Sequence, residues 1–195
     1  EPNATNANAT GSTKPDAGAS APAPIAERQK LAATLGVDPE QIGSTETVTH
    51  KGRTVRVVNL VLDINQVDTS HNPDGTINPD YPQALQPRDR SAAVYRDQQR
   101  RIASNPNLTE EFLSGTPDRG TPIMATVDGK AVTLIGNGRA NAKALMYSAP
   151  DLADTAAKFK ASIAARAAEK GLTAEAVNAI AQPVLVRHIL DPLTL

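Results

Sequence analysis

The chain has 195 residues, 39% hydrophobic but only 3% aromatic, so its core must be built from Ala, Val, Leu and Ile. A formal net charge of −1 excludes bulk attraction to nucleic acid or to an anionic membrane, leaving only local basic patches for such contacts. The lack of Cys excludes disulfides, thiolate nucleophiles and cysteine-ligated metal centres, and three His argue against a His-rich metal site.

No apolar stretch is long enough to span a bilayer, and no charged-then-apolar leader is visible. The expected location is cytoplasmic, with no membrane partner. Because the sequence begins without Met, it reads as a domain cut from a longer protein.

Residues 1–24 are Ala, Asn, Thr, Pro, Gly and Ser with almost nothing to bury, the composition of a disordered linker. Such a linker implies an upstream domain, so other domains of a larger parent protein are expected partners. Asn3-Ala4-Thr5 and Asn8-Ala9-Thr10 match a glycosylation sequon, but nothing else points to secretion.

The folded domain is expected over residues 25–195. Its first helix runs from Ile25 to Leu35 and stops at Gly36, and one further helical turn follows at Asp38–Ile42. Residues 45–50 alternate as a strand does, Lys51-Gly52 turns the chain, and residues 54–62 return as a second strand. Residues 68–90 are rich in Asn, Pro, Asp and Gly and predict a long loop, a kind of segment that is usually functional or disordered.

A helix is expected over residues 91–104 with Ser91 as N-cap, and a short one over 108–113. A turn at 118–121 leads to a strand over 122–127, the tight turn Asp128-Gly129 and a strand over 131–135. A helix from Ala140, another over 151–170 closed by Gly171, a short one over 173–180 and a last strand over 183–190 complete the chain. The fold class is α/β (α+β), with a small mixed sheet and packed helices.

The most informative residues are Gly136-Asn137-Gly138-Arg139, placed between an apolar strand and a helix. The first amides of a helix are unpaired and carry the positive end of its dipole, which makes such a turn an anion site. Two glycines admit close approach of a phosphate, and Arg139 adds a bidentate donor. Asn137 can donate to a phosphate or cap the helix. Asn141 can face the same site, although an exposed helix position is expected.

The order of pieces resembles the ParB/sulfiredoxin superfamily: a strand ending in a polar loop, Leu85-Gln86-Pro87-Arg88, a helix, a Gly-Thr-Pro-Ile strand, a hairpin, and a strand ending in Gly-Asn-Gly-Arg. Ser70-His71-Asn72-Pro73-Asp74-Gly75, Asn78-Pro79-Asp80-Tyr81-Pro82 and Leu85-Gln86-Pro87-Arg88-Asp89-Arg90 are closer still to the DdrB-like ParB-superfamily domain of large polyvalent proteins of phages and conjugative elements. The resemblance extends over about residues 47–190.

The resemblance implies a nucleotide-phosphate pocket at the Gly-Asn-Gly-Arg turn and work in mobile-element DNA biology. Relatives bind CTP or ATP, some cleave DNA, and others phosphorylate small molecules or proteins, so Mg²⁺ with CTP or ATP is the implied cofactor set. This chain departs from the family turn, with Asn137 in place of Glu and Gly138 in place of Arg, so a carboxylate is missing there. The sulfiredoxin-type Cys is also absent, and no Asn-Gln-Arg-type helix follows the last strand, which counts against CTP clamping of the ParB kind.

The candidate phosphate-binding residues are therefore Gly136, Asn137, Gly138, Arg139, Arg88, Arg90 and Thr121. His71 and Asp89 are candidates for general acid–base chemistry, and Asp89 is also a candidate metal ligand. Asp118 and Arg119 are placed to complete the pocket or simply to turn the chain. Asn72-Pro73-Asp74-Gly75 reads foremost as turn chemistry.

Arg96 and Arg100 share one helix face and, with Arg101, form either a backbone-tracking stripe or a solvated face. His50 and His188 fall in or beside strands and need no role. The expected function is binding of a nucleotide or nucleic-acid phosphate, with metal-dependent nuclease or NTPase activity. The alternatives are a catalytically silent DNA- or protein-binding module and, as a third, a kinase.

Overall fold

The computed structural model describes residues 21–85 and 93–191. Strand β1 (Ala21–Pro22) leads into helix α1 (Ile25–Leu35). Gly36 ends α1 in the left-handed conformation, φ 66°, and returns its N–H to Ala32 O. Asp38 and Gln41 cap the 3₁₀ turn Pro39–Gln41 reciprocally, and β2 (Ile42–His50) starts at once.

Lys51 and Gly52, both at positive φ, form the tight turn to β3 (Arg53–Asp63). After the loop come α2 (Ala93–Ser104), α3 (Leu108–Glu111), β4 (Ile123–Val127) and β5 (Lys130–Ile135), the last two joined through Asp128 and Gly129. Helices α4 (Asn137–Ser148), α5 (Ala153–Ala165) and α6 (Ala174–Asn178) then lead to β6 (Pro183–Ile189).

The strands form one six-stranded sheet in the order β1-β2-β3-β6-β4-β5. Every neighbouring pair is antiparallel except β4 and β6, which pair in parallel at Ile123↔Arg187 and Met124↔His188. The sheet is therefore mixed, as expected.

Central strands β3 and β6 are buried on both faces, which explains their nearly unbroken apolar runs. Val58, Leu60, Leu62, Val184 and Val186 face a core shared with α1 and Ala140 of α4. Val61 and Leu185 face the opposite core, which is built on Phe159 and Ile163 of α5, Val177 of α6, Ala103 of α2 and Met146 of α4.

Several expectations are corrected. Residues 21–24 belong to the domain rather than to a linker, since β1 pairs with Ser44 and Thr45 and Ala23 is buried. The linker proposed for residues 1–20 and the N-cap Ser91 lie outside the described residues. Helix α4 begins three residues earlier than expected, at Asn137, because left-handed Gly136 ends β5 abruptly. The expected long helix over 151–170 is a 3₁₀ turn at Pro150–Leu152, then α5, then a 3₁₀ turn at Ala167–Lys170 that tightens into left-handed Gly171.

Candidate functional site

Strand β5 is an edge strand, and its C-terminal end delivers the chain into α4 beside the segment that precedes β4. Gly136 caps α4 at φ 90° and ψ 21° without a side-chain hydrogen bond. The first intrahelical bond runs from Ala140 N to Gly136 O at 3.0 Å. The amides of Asn137, Gly138 and Arg139 thus lie ahead of the helical ladder at the positive end of the dipole.

Only glycine fits at position 136. A Cβ would lie 2.8 Å from Arg139 Nη2 and 3.1 Å from Pro122 Cα, in a conformation that side chains disfavour. The half-buried Arg139 folds back over this turn, and Nη1 and Nη2 donate to the carbonyls of Asp118 (3.1 Å) and Pro117 (3.2 Å). Burial lowers its pKa from the ordinary Arg value, while Glu111, Glu110 and Asp118 oppose that shift.

A cavity of about 270 Å³ opens here, lined by Gly136, Gly138, Arg139 and Asp118 together with Tyr95 and Gln99 of α2. Gly136, Gly138 and Arg139 therefore line one cavity. Asn137 does not line that cavity. It is fully buried, its Oδ1 accepting from Ser70 N (2.8 Å) and its Nδ2 donating to Thr133 O (3.0 Å). It clamps the loop after β3 to the β5–α4 turn. Tyr81 adds a second tie by donating to Thr133 O at 2.6 Å.

His71 is buried, with Nδ1 3.0 Å from Ser70 Oγ, and does not line the cavity. Thr121 is buried too; its carbonyl accepts from Arg187 Nη2 at 2.7 Å, and its Oγ1 has no partner. Arg88, Asp89 and Arg90 lie outside the described residues.

Asn141 is buried rather than exposed, and neither of its amide atoms has a partner. Asp74 accepts from Thr76 N (2.9 Å), the expected turn role. Arg119 pairs with Glu110, and Arg100 pairs with Asp151 in the 3₁₀ turn before α5. His50 is exposed, whereas buried His188 contacts Thr126 Oγ1 through Nε2 at 3.1 Å.

Sequence reasoning missed the charged residues beneath the site. Arg187, 0% exposed, donates to the carbonyls of Thr116 (2.8 Å), Arg119 (2.8 Å) and Thr121 (2.7 Å). Lys170 donates to Ser114 Oγ (3.0 Å) and to Glu46 Oε2 (3.3 Å). Glu46 serves both cations, since Arg187 Nη1 lies 3.6 Å from its other oxygen.

Burial lowers the pKa of Lys170 and of Arg187, against the pull of Glu46. This network staples the segment 113–121 that supplies the carbonyls holding Arg139. A second buried pair, Lys143 with Glu111 at 2.8 Å, lies one turn along α4 from Arg139. The spacing of four between Arg139 and Lys143 was the available signal, because it puts both on one helix face.

A mixed sheet whose edge strand feeds a glycine-capped helix beside a cleft defines an α/β domain with a helix start uncapped by any side chain at the cleft. Residues 50–190 match the family model described as the ddrB-like ParB superfamily domain, and the chain belongs to that family. No curated protein and no solved structure matches the chain.

Proposed function

We propose that this domain binds a nucleotide or nucleic-acid phosphate at the N-terminus of α4. The observation that carries the reading is the uncapped start of α4 at left-handed Gly136, opening on a cavity that Arg139 also lines. Phosphate oxygens would accept from the amides of Gly138 and Arg139, which line the cavity, and the missing Cβ of Gly138 admits close approach. Two of the five Arg139 N–H groups are used by Asp118 O and Pro117 O, so Arg139 supplies charge and its remaining donors.

Among the described residues no group of three or more His, Cys, Asp or Glu is arranged to hold a metal. Mg²⁺ fits as an ion carried by the phosphates of CTP or ATP, with Asp118 the single carboxylate at the cavity among the described residues. Bound there, it would neutralise phosphate charge.

Binding without hydrolysis is favoured over nuclease or NTPase chemistry by the burial of His71 and by the structural use of Asn137 where the family turn carries Glu. On this reading the partners are a nucleotide or nucleic acid and other domains of a phage or conjugative-element protein.

The experiment is a melting series with CTP, ATP and GTP, with and without Mg²⁺, on the wild type and Arg139→Ala, alongside incubation with single- and double-stranded DNA. A ligand at a hundred times its Kd stabilises by about 2.7 kcal/mol. A shift lost in Arg139→Ala, without DNA cleavage, is expected. A shift unchanged in that variant places the site elsewhere, and cleavage restores the nuclease reading.

A further inference from the structure

Beside the phosphate cavity lies a second one of about 240 Å³, and the two share Ile102, Asp118 and Arg139. Ile102, Ala103, Pro106 and Met146 wall it with apolar surface. The Lys143–Glu111 pair also lines it, with side chains only 5% and 8% exposed. Lys143 Nζ holds Glu111 Oε1 at 2.8 Å, but Glu111 Oε2 is buried without any hydrogen-bond partner.

A buried carboxylate oxygen without a donor is costly, and in a residue that lines a cavity it marks where a ligand's N–H can supply the missing bond. The cavity is smaller than the roughly 300–1,000 Å³ of drug-sized sites, so it would take one ring of a ligand and not the whole of it. Lys143 stands four residues beyond Arg139, about 6 Å along the helix, so the pair is within a nucleotide's length of the α4 amides.

We propose that Glu111 and Lys143 form the base-reading end of the site. A nucleobase edge would donate an N–H to Glu111 Oε2 and accept from Lys143 Nζ through the neighbouring ring acceptor, its faces lying against Met146 and Pro106. The inference rests on the phosphate-binding reading, and it selects a free nucleoside phosphate over the backbone of a nucleic acid. Nothing in the phosphate cavity alone makes that choice.

The test is calorimetric titration of the full chain with CTP, ATP and inorganic tripolyphosphate, on the wild type, Glu111→Gln and Arg139→Ala. In the wild type at least one nucleotide should bind about tenfold or more tighter than tripolyphosphate, the worth of a hydrogen bond to a charged group. Glu111→Gln should remove that advantage while leaving tripolyphosphate binding within twofold, and Arg139→Ala should weaken both ligands. Tripolyphosphate binding as tightly as both nucleotides overturns the base subsite and leaves the phosphate site standing; this comparison needs only the wild type, should Glu111→Gln fail to fold. An equal loss of nucleotide and tripolyphosphate in Glu111→Gln also overturns it. Failure of every ligand to bind removes the phosphate reading and the base subsite together.

Discussion

Arg139 lies over the open face of Gly136, with its Nη2 only 2.8 Å from the point where a Cβ at position 136 would sit. The absence of that one carbon lets the guanidinium cross the helix start and reach the carbonyls of Pro117 and Asp118. Gly136→Ala should therefore lose about 1–3 kcal/mol of stability from the φ of 90° alone. It should also displace Arg139 and weaken phosphate binding. Urea unfolding and a nucleotide titration of the variant check both effects.

Among the described residues, Glu46 is the only carboxylate that pairs with Lys170 and Arg187, both of them buried. Glu46→Gln leaves two buried cations without their shared anion and should cost about 3–5 kcal/mol. Equilibrium denaturation measures this. A loss no larger than that of an exposed surface substitution would show that the network does not hold segment 113–121.

Asn137→Ala should free the loop after β3 from the turn. It strands Ser70 N–H, and it takes from Thr133 O the 3.0 Å bond that Asn137 supplies, although Tyr81 still donates there. The expected loss is about 1–3 kcal/mol for each group left unpaired. Hydrogen exchange should show a large, local gain in exchange rate at the Ser70 amide.

Burial pushes the His188 pKa below its ordinary value of 6.5. In the window between the depressed folded value and 6.5, the unfolded chain binds more protons than the folded one, so stability rises with pH there. The contribution of His188 is complete above 6.5 and is lost as pH falls through the folded value. His188→Gln should flatten the stability profile of the wild type below pH 6.5, as measured by denaturation at a series of pH values.

Much of this arrangement is legible in the residues. Lys51-Gly52 and Asp128-Gly129 declare their hairpins because both residues of each turn need positive φ, and Gly36 and Gly171 declare helix ends for the same reason. The start of α4 is harder to read. Asn137 looks like an N-cap but is the first helical residue, and its side-chain carboxamide is spent on Ser70 and Thr133, which only the folded loop brings near.

The ionic network is illegible for a similar reason. Glu46 stands in a strand on the face of Val48 and Lys170 at a helix end, Arg187 interrupts an apolar strand, and none of the three announces its partner. Their pairing joins residues 124 and 141 positions apart, a product of sheet order and not of local spacing.

The most direct measurement is the change in backbone amide resonances of the isotope-labelled chain as CTP or ATP with Mg²⁺ is added. Saturable shifts centred on the amides of Gly136, Asn137, Gly138 and Arg139 are expected, abolished in Arg139→Ala. Resonances of these four residues that stay fixed while others saturate, or that move equally in Arg139→Ala, would contradict phosphate binding at this turn.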